Sequence, residues 1–102
     1  MKSVVLPQNE FERQEECGII GIISKEKKEL AHDLYFGLFA LQHRGQERAG
    51  IAVAYEPRKV YYYKKMGLVN EVFNEDKLSA FPDTNCGIGH VRYSTTGSSN
   101  VV

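Results

Sequence analysis

The 102-residue chain has no tryptophan, only two cysteines and only three prolines, and its formal net charge is zero. Each scarcity excludes something. Cys17 and Cys86 stand far apart with no CxxC or Cys/His spacing, so neither a disulfide framework nor a zinc site is signalled. Thirteen basic residues balance thirteen acidic ones. No global field therefore points to nucleic acid or an anionic membrane surface. No apolar run approaches the roughly 20 residues of a membrane span. Repeats and low-complexity stretches are also absent. Cytoplasmic placement is the expectation.

The first sixteen residues, MKSVVLPQNEFERQEE, match no targeting signal. Val4-Val5-Leu6 is stopped by Pro7, well short of the roughly 7–15 apolar residues of a secretory h-region, and the acids before Cys17 oppose a mitochondrial presequence. The segment fits no folded element and reads as a leader, residues 1–16, ahead of a structured part, residues 17–102. Its removal would leave Cys17 as a terminal residue. A terminal cysteine carries a nucleophile and a base together: the thiol attacks, and an α-amine with a pKa of about 7.7–8.0 carries the proton. While Glu16 is attached, that nitrogen is an amide and cannot be a base. The plainer reading of Cys17 and Cys86 alike is small, buried, apolar packing.

Along the chain, hydrophobic period alternates. Gly18 to Ser24 is a short Ile-rich run, a buried strand by length and β-branching. Glu29 to His43 places Leu30, Leu34, Leu38 and Leu41 on a helical stripe. Gly37 in its middle marks a close packing contact, and Gly45 a C-terminal stop. Gly50–Tyr55 and Lys59–Lys64 predict a hairpin around Glu56-Pro57-Arg58, with Tyr61-Tyr62-Tyr63 on a strand exposed on one face. Val69 to Phe81 reads as short helical turns, Cys86 to Arg92 as a final strand, and Tyr93 to Asn100 as a polar loop. With strands outnumbering helices and one helix to cover a sheet face, the fold class is α+β.

Two further clusters carry chemistry. Ala40-Leu41-Gln42-His43-Arg44-Gly45-Gln46-Glu47-Arg48-Ala49-Gly50-Ile51 packs polar and charged groups between an apolar helix and an apolar strand, which by itself is a solvated loop. Gly87-Ile88-Gly89-His90-Val91-Arg92-Tyr93-Ser94-Thr95-Thr96-Gly97 ends a strand in a guanidinium followed by hydroxyls. A strand-end arginine can clamp a carboxylate bidentately, and an exposed structural arginine is the plainer reading.

Taken in order, CGIIGI, LQHRGQERAGI and GHVRYSTTGSSN resemble the start of the amidophosphoribosyltransferase family over Cys17 to Asn100, and the acidic leader resembles the propeptide of some members. Glucosamine-6-phosphate synthases typically carry an RGYDSAG-like segment and a tryptophan after the arginine, and asparagine synthetases RGPD, where this chain has Arg44-Gly45-Gln46 and Tyr93. The resemblance implies an N-terminal class II glutamine amidotransferase domain of the N-terminal nucleophile hydrolase superfamily, here a truncated part of an αββα sandwich of two stacked antiparallel sheets. It implies Cys17 as nucleophile, Arg92, Tyr93 and Thr95 as the glutamine-binding residues, and Arg44 and Gly45 as support for the site. His43 and His90 are structural. The family's oxyanion-hole Asn-Gly pair and its phosphoribosyltransferase domain would lie beyond Val102. With that domain would go phosphoribosyl pyrophosphate, Mg2+ and, where present, a [4Fe-4S] cluster; no metal or cofactor is expected in this segment. Glutamine is the implied partner, with no nucleic acid or membrane, in a homo-oligomeric parent enzyme. The alternative is a non-catalytic remnant acting as a binding or regulatory module. RNA binding through His43-Arg44 and Arg48 lacks a basic patch.

Overall fold

The computed structural model describes residues 2–6, 17–42 and 45–93, and the side chains of the last two ranges. Five strands and three helices follow one another as β1 (Lys2–Leu6), β2 (Cys17–Lys28), α1 (Leu30–Leu41), β3 (Gln46–Glu56), β4 (Lys59–Met66), α2 (Val69–Val72), α3 (Glu75–Ser79) and β5 (Thr84–Tyr93). The strands form one antiparallel sheet in the order β1-β2-β5-β3-β4. The α+β expectation holds. The second sheet of the expected sandwich is not among the described residues.

Because successive strand residues point to opposite faces, the sheet sorts its side chains. One face carries Ile20 and Ile22 of β2, Ala49, Ile51 and Val53 of β3, and Val91 and Tyr93 of β5, all buried. Leu30, Ala31, Leu34 and Leu38 of α1 close over them, as their helical spacing predicts. Val69, Val72, Phe73, Leu78 and Phe81 extend this core toward β4. There Tyr61 meets Phe81 and Tyr63 meets Phe73 edge to face, with ring centroids 4.7 and 5.8 Å apart. Tyr62, between them, points the other way, which is the expected one-sided exposure of the tyrosine run.

The helix lies close to the sheet because glycines lie beneath it. A Cβ on Gly37 would strike the Cδ1 of Ile20, which bears out the close contact expected there. Gly87 and Gly89 do the same from the sheet side, under Leu34 and Leu38. Polar contacts hold the margins. Glu75 of α3 lies 3.0 Å from His32 Nε2 of α1 and accepts from the Ser79 hydroxyl at 2.9 Å, tying the two helices together. Asn74 caps α3 by accepting the Lys77 N–H at 2.8 Å.

Several boundaries differ from those expected. Lys2–Leu6 is a strand, paired with β2 from Lys2↔Ile23 to Leu6↔Ile19, so this part of the presumed leader has a folded place. A short β-prone run needs no further length when it can pair with an open strand edge. β2 continues through the charged run to Lys28, with a register irregularity after Ile23. α1 ends at Leu41, with Gln42 as its extended C-cap. Gly45, with φ of 90°, sits just before β3 and does not terminate the helix. The hairpin and the short helices α2 and α3 fall where the sequence places them. His43, the polar loop after Tyr93 and residues 7–16 lie outside the described residues.

The opposite face of the sheet is uncovered among the described residues. Ile23 (62%), Ile88 (49%) and Val60 (63%) are exposed on it, with Tyr62 beside them. Cys86 is exposed here too, not buried as expected. Its parity in β5 is that of Ile88, away from the helix.

Candidate functional site

At one end of the open face three strands bring polar side chains into a row. Cys17, the first residue of β2, pairs with Arg92 of β5, and Arg92 pairs on its other side with Arg48 of β3. Cross-strand partners share a face, and adjacent strands lie about 4.7–4.9 Å apart. Cys17, Arg92 and Arg48 thus occupy successive positions across three adjacent strands. Cys17 and Arg92 are both exposed. Of the two residues singled out from distant clusters, each faces the other's strand position directly.

The next row along the same face reads Ile19, His90, Gly50, Lys64. Gly50 is a notch for the imidazole: a Cβ there would strike His90 Nε2 and lie 2.9 Å from the Cβ of Lys64. Tyr62 Oη lies 3.4 Å from the same nitrogen. Burial, and then the charges of Lys64 and Arg48, hold the His90 pKa below its ordinary value of 6.5. Near neutral pH the ring is therefore uncharged and does not add to the cations around it. The sign of the linkage follows. The unfolded chain takes up a proton on His90 near 6.5 and the folded one does so only at lower pH. The associated stability is complete above 6.5 and is lost as pH falls from there through the folded pKa. Replacing Lys64 by methionine should move the imidazole titration upward in an NMR pH series. An unmoved titration would mean that Lys64 does not bear on this face.

Tyr93 is placed differently from the expectation that it lines one pocket with Arg92. It is 3% exposed on the helix side, and its hydroxyl donates to the carbonyl of Leu41 at the end of α1. Consecutive strand residues cannot share a face, so its side chain anchors the helix while its backbone stays beside Arg92. Gly18 leaves room for that phenol, whose oxygen would be 3.3 Å from a Cβ there. Gly45 is exposed at the entry to β3. Arg44 and Thr95 lie outside the described residues.

Gln46 was not singled out by sequence reasoning, yet it organises this end of the sheet. Its amide nitrogen donates to the carbonyls of Arg48 and Gly67, each at 2.9 Å, and its oxygen accepts from Val69 N–H at 3.1 Å. Gly67, with φ of 129°, donates its own N–H to the Glu47 carbonyl at 2.8 Å. A buried glutamine with these partners fixes a β-bulge: Gln46 pairs with Tyr93, but Arg48, not Glu47, pairs with Arg92. The sequence carries no local signal for it, because Gln46 stands among Arg44, Glu47 and Arg48 in a run that reads as solvated.

Among the described residues no group of His, Cys, Asp and Glu side chains is arranged to hold a metal, and no helix is long and apolar enough to cross a membrane.

No family model matches the chain. Curated relatives do. It is 53% identical over 85 residues to the amidophosphoribosyltransferase of Methanocaldococcus jannaschii, covering 83% of this chain and 18% of that protein. The amidophosphoribosyltransferase of Methanothermobacter thermautotrophicus is 50% identical over 93 residues, 90% of this chain and 19% of that protein. That of Synechocystis is 52% identical over 89 residues, 87% and 17%. The chain thus spans less than a fifth of the length of these relatives. A solved structure of the allosteric regulatory enzyme of purine biosynthesis matches with a TM-score of 0.62 and 40% identity, over 80% of this chain and 17% of that one. Glutamine phosphoribosylpyrophosphate amidotransferase from B. subtilis, in complex with ADP and GMP, matches with a TM-score of 0.59 and 42% identity, over 76% and 16%. By sequence and by fold the chain belongs with the N-terminal part of the amidophosphoribosyltransferases.

Proposed function

We propose that this chain is the glutamine-hydrolysing part of an amidophosphoribosyltransferase, with Cys17 as the nucleophile. The observation that carries the reading is the register pairing of Cys17 with Arg92 on the open face. A glutamine held there through its α-carboxylate by Arg92 presents its side-chain amide toward the thiol. The sulfur bonds to the amide carbon and the thiol proton passes to the α-amine of Cys17. As the carbon–nitrogen bond breaks, that proton goes to the departing nitrogen and ammonia leaves. Water then attacks the γ-glutamyl thioester, releasing glutamate and returning the proton to sulfur. The α-amine exists only once residues 1–16 are removed, so the leader keeps the site silent until then. Thr95, Arg44 and Gly45 complete the pocket.

The ammonia goes to 5-phosphoribosylamine formation from phosphoribosyl pyrophosphate, the first committed step of purine synthesis. The phosphoribosyl pyrophosphate site belongs to a separate domain of a cytoplasmic, homo-oligomeric enzyme. Mg2+ and any [4Fe-4S] cluster would belong to that domain as well. The donor set of the described residues does not fit either, and no step here runs through them. The open apolar face is what the second sheet of an αββα N-terminal nucleophile hydrolase sandwich would cover.

A second reading is favoured by one observation. No Asn-Gly pair occurs in the 102 residues, so the oxyanion donors that the family resemblance implies are not among them. A missing oxyanion donor costs about 10²–10³ in rate. On that ground these residues alone form a non-catalytic unit, and activity belongs to the complete enzyme.

The test is to acid-quench the complete enzyme during turnover of glutamine and map the adduct by peptide mass spectrometry. A γ-glutamyl group on a peptide that begins at Cys17 is the expected result. An adduct elsewhere, or turnover with Glu16 still attached, would sink the proposal.

A further inference from the structure

Arg92 and Arg48 are directly opposed across β5 and β3, an arrangement of like charges that destabilises a sheet. Lys64 lies one row further along the same face. The ion pairs among the described residues are Lys28–Asp33, His32–Glu29, His32–Glu75 and Lys59–Glu56, so none of these three cations takes part in one. Among the described residues the Arg48 guanidinium donates to the Met66 sulfur at 3.4 Å, a weak acceptor.

The bulge makes the opposition more telling. Continued without interruption from Gln46↔Tyr93, the register would set Glu47 against Arg92 and neutralise it. The extra residue instead carries Glu47 past and seats Arg48 there, and the buried Gln46 and Gly67 hold the chain in that shape. A bulge that re-aims one side chain is a common device beside active sites. Here it sets a second arginine in register with Arg92. Two arginines at opposed positions on one face, neither in an ion pair among the described residues, are complementary to a carboxylate supplied from outside.

We infer that Arg48 is a second carboxylate-binding residue of this site, holding the α-carboxylate of glutamine jointly with Arg92. The inference rests on the glutamine-hydrolysing reading above. Arg48 lies on the side of Arg92 remote from Cys17, where the end of the amino acid farthest from the reacting amide belongs.

The experiment compares L-glutamine with L-glutaminamide, which lacks the carboxylate, as substrates of the complete enzyme and its Arg48→Met and Arg48→Lys variants. Arg48→Met should raise KM for glutamine about tenfold, with kcat within about twofold and KM for glutaminamide unchanged; Arg48→Lys should recover part of the loss. The single-substrate effect is what a merely structural role cannot produce. An equal rise in KM for both substrates would assign Arg48 to packing or to an acidic group elsewhere in the enzyme, and would overturn the inference. So would an unchanged KM for glutamine. The two proposals fail differently. A glutamyl adduct on Cys17 together with an Arg48→Met enzyme of normal KM removes only this inference. Absence of the adduct in the unsubstituted enzyme removes both.

Discussion

Substituting Gly89 by alanine should destabilise the α1–sheet packing by about 1–3 kcal/mol, although alanine is a conservative change almost anywhere else. The added carbon would lie 2.9 Å from Leu38 Cδ1, 3.0 Å from its Cγ and 3.2 Å from its Cδ2. Leu38 is fully buried and flanked by the rest of the helix stripe, so its branch point has little room to withdraw. Leu38→Ala on its own should cost about 2–5 kcal/mol, by loss of apolar burial and the cavity left behind. The informative result is the pair. With Leu38 shortened, the three atoms that a Gly89 methyl would strike are gone, and the methyl fills part of the vacated space. The double variant should therefore be more stable than the sum of the two single losses, with a coupling of about 0.5–3 kcal/mol. Hydrogen exchange of the β5 and α1 amides in each variant measures this locally. Strict additivity would mean that Leu38 and Gly89 are not in the contact described, and that the helix sits further from the sheet.

That contact also explains what could and could not be read from the chain. The stripe of α1, the hairpin and the tyrosine parity of β4 were legible because large side chains mark the buried face. In β5 the code inverts. Gly87 and Gly89 occupy the helix side because there is no room for side chains under Leu34 and Leu38, while Ile88 and Cys86 face outward. A reading that looks for the apolar residue on the inside assigns Cys86 to the core. The face that Tyr93 takes was legible as well. Tyr93 follows Arg92 directly, and period-two alternation alone separates their side chains. The bulge at Glu47 is of a different kind. Nothing in Gln46-Glu47-Arg48 announces which residue is passed over; that depends on Gly67 and Val69, some twenty positions away, satisfying the buried Gln46 amide. The identities of Cys17 and Arg92 were visible in their motifs, but their pairing is a product of register.

Cys17→Ala should abolish glutamine-dependent activity of the complete enzyme, by at least about a thousandfold, while leaving synthesis from added ammonia within about twofold. The asymmetry follows from where the residue lies. Cys17 is exposed at the first position of β2, outside the helix-covered core, so its sulfur contributes little packing. An exposed substitution of that kind ordinarily changes stability by no more than about 0.5 kcal/mol. Removing the thiol removes the only atom of this residue that can bond to the amide carbon. The oxygen of Cys17→Ser would keep the position but attack far more weakly, because a hydroxyl is less acidic and less nucleophilic than a thiol. On the proposed reading, external ammonia enters after the step assigned to Cys17, so synthesis from it would have no need of the thiol. Glutamate release with glutamine, set beside pyrophosphate release with ammonium, separates the two halves of the reaction. If both fell together in Cys17→Ala, the cysteine would be holding the end of β2 against β5, and its place opposite Arg92 would be structural. If glutamine use survived, the nucleophile would lie elsewhere in the enzyme.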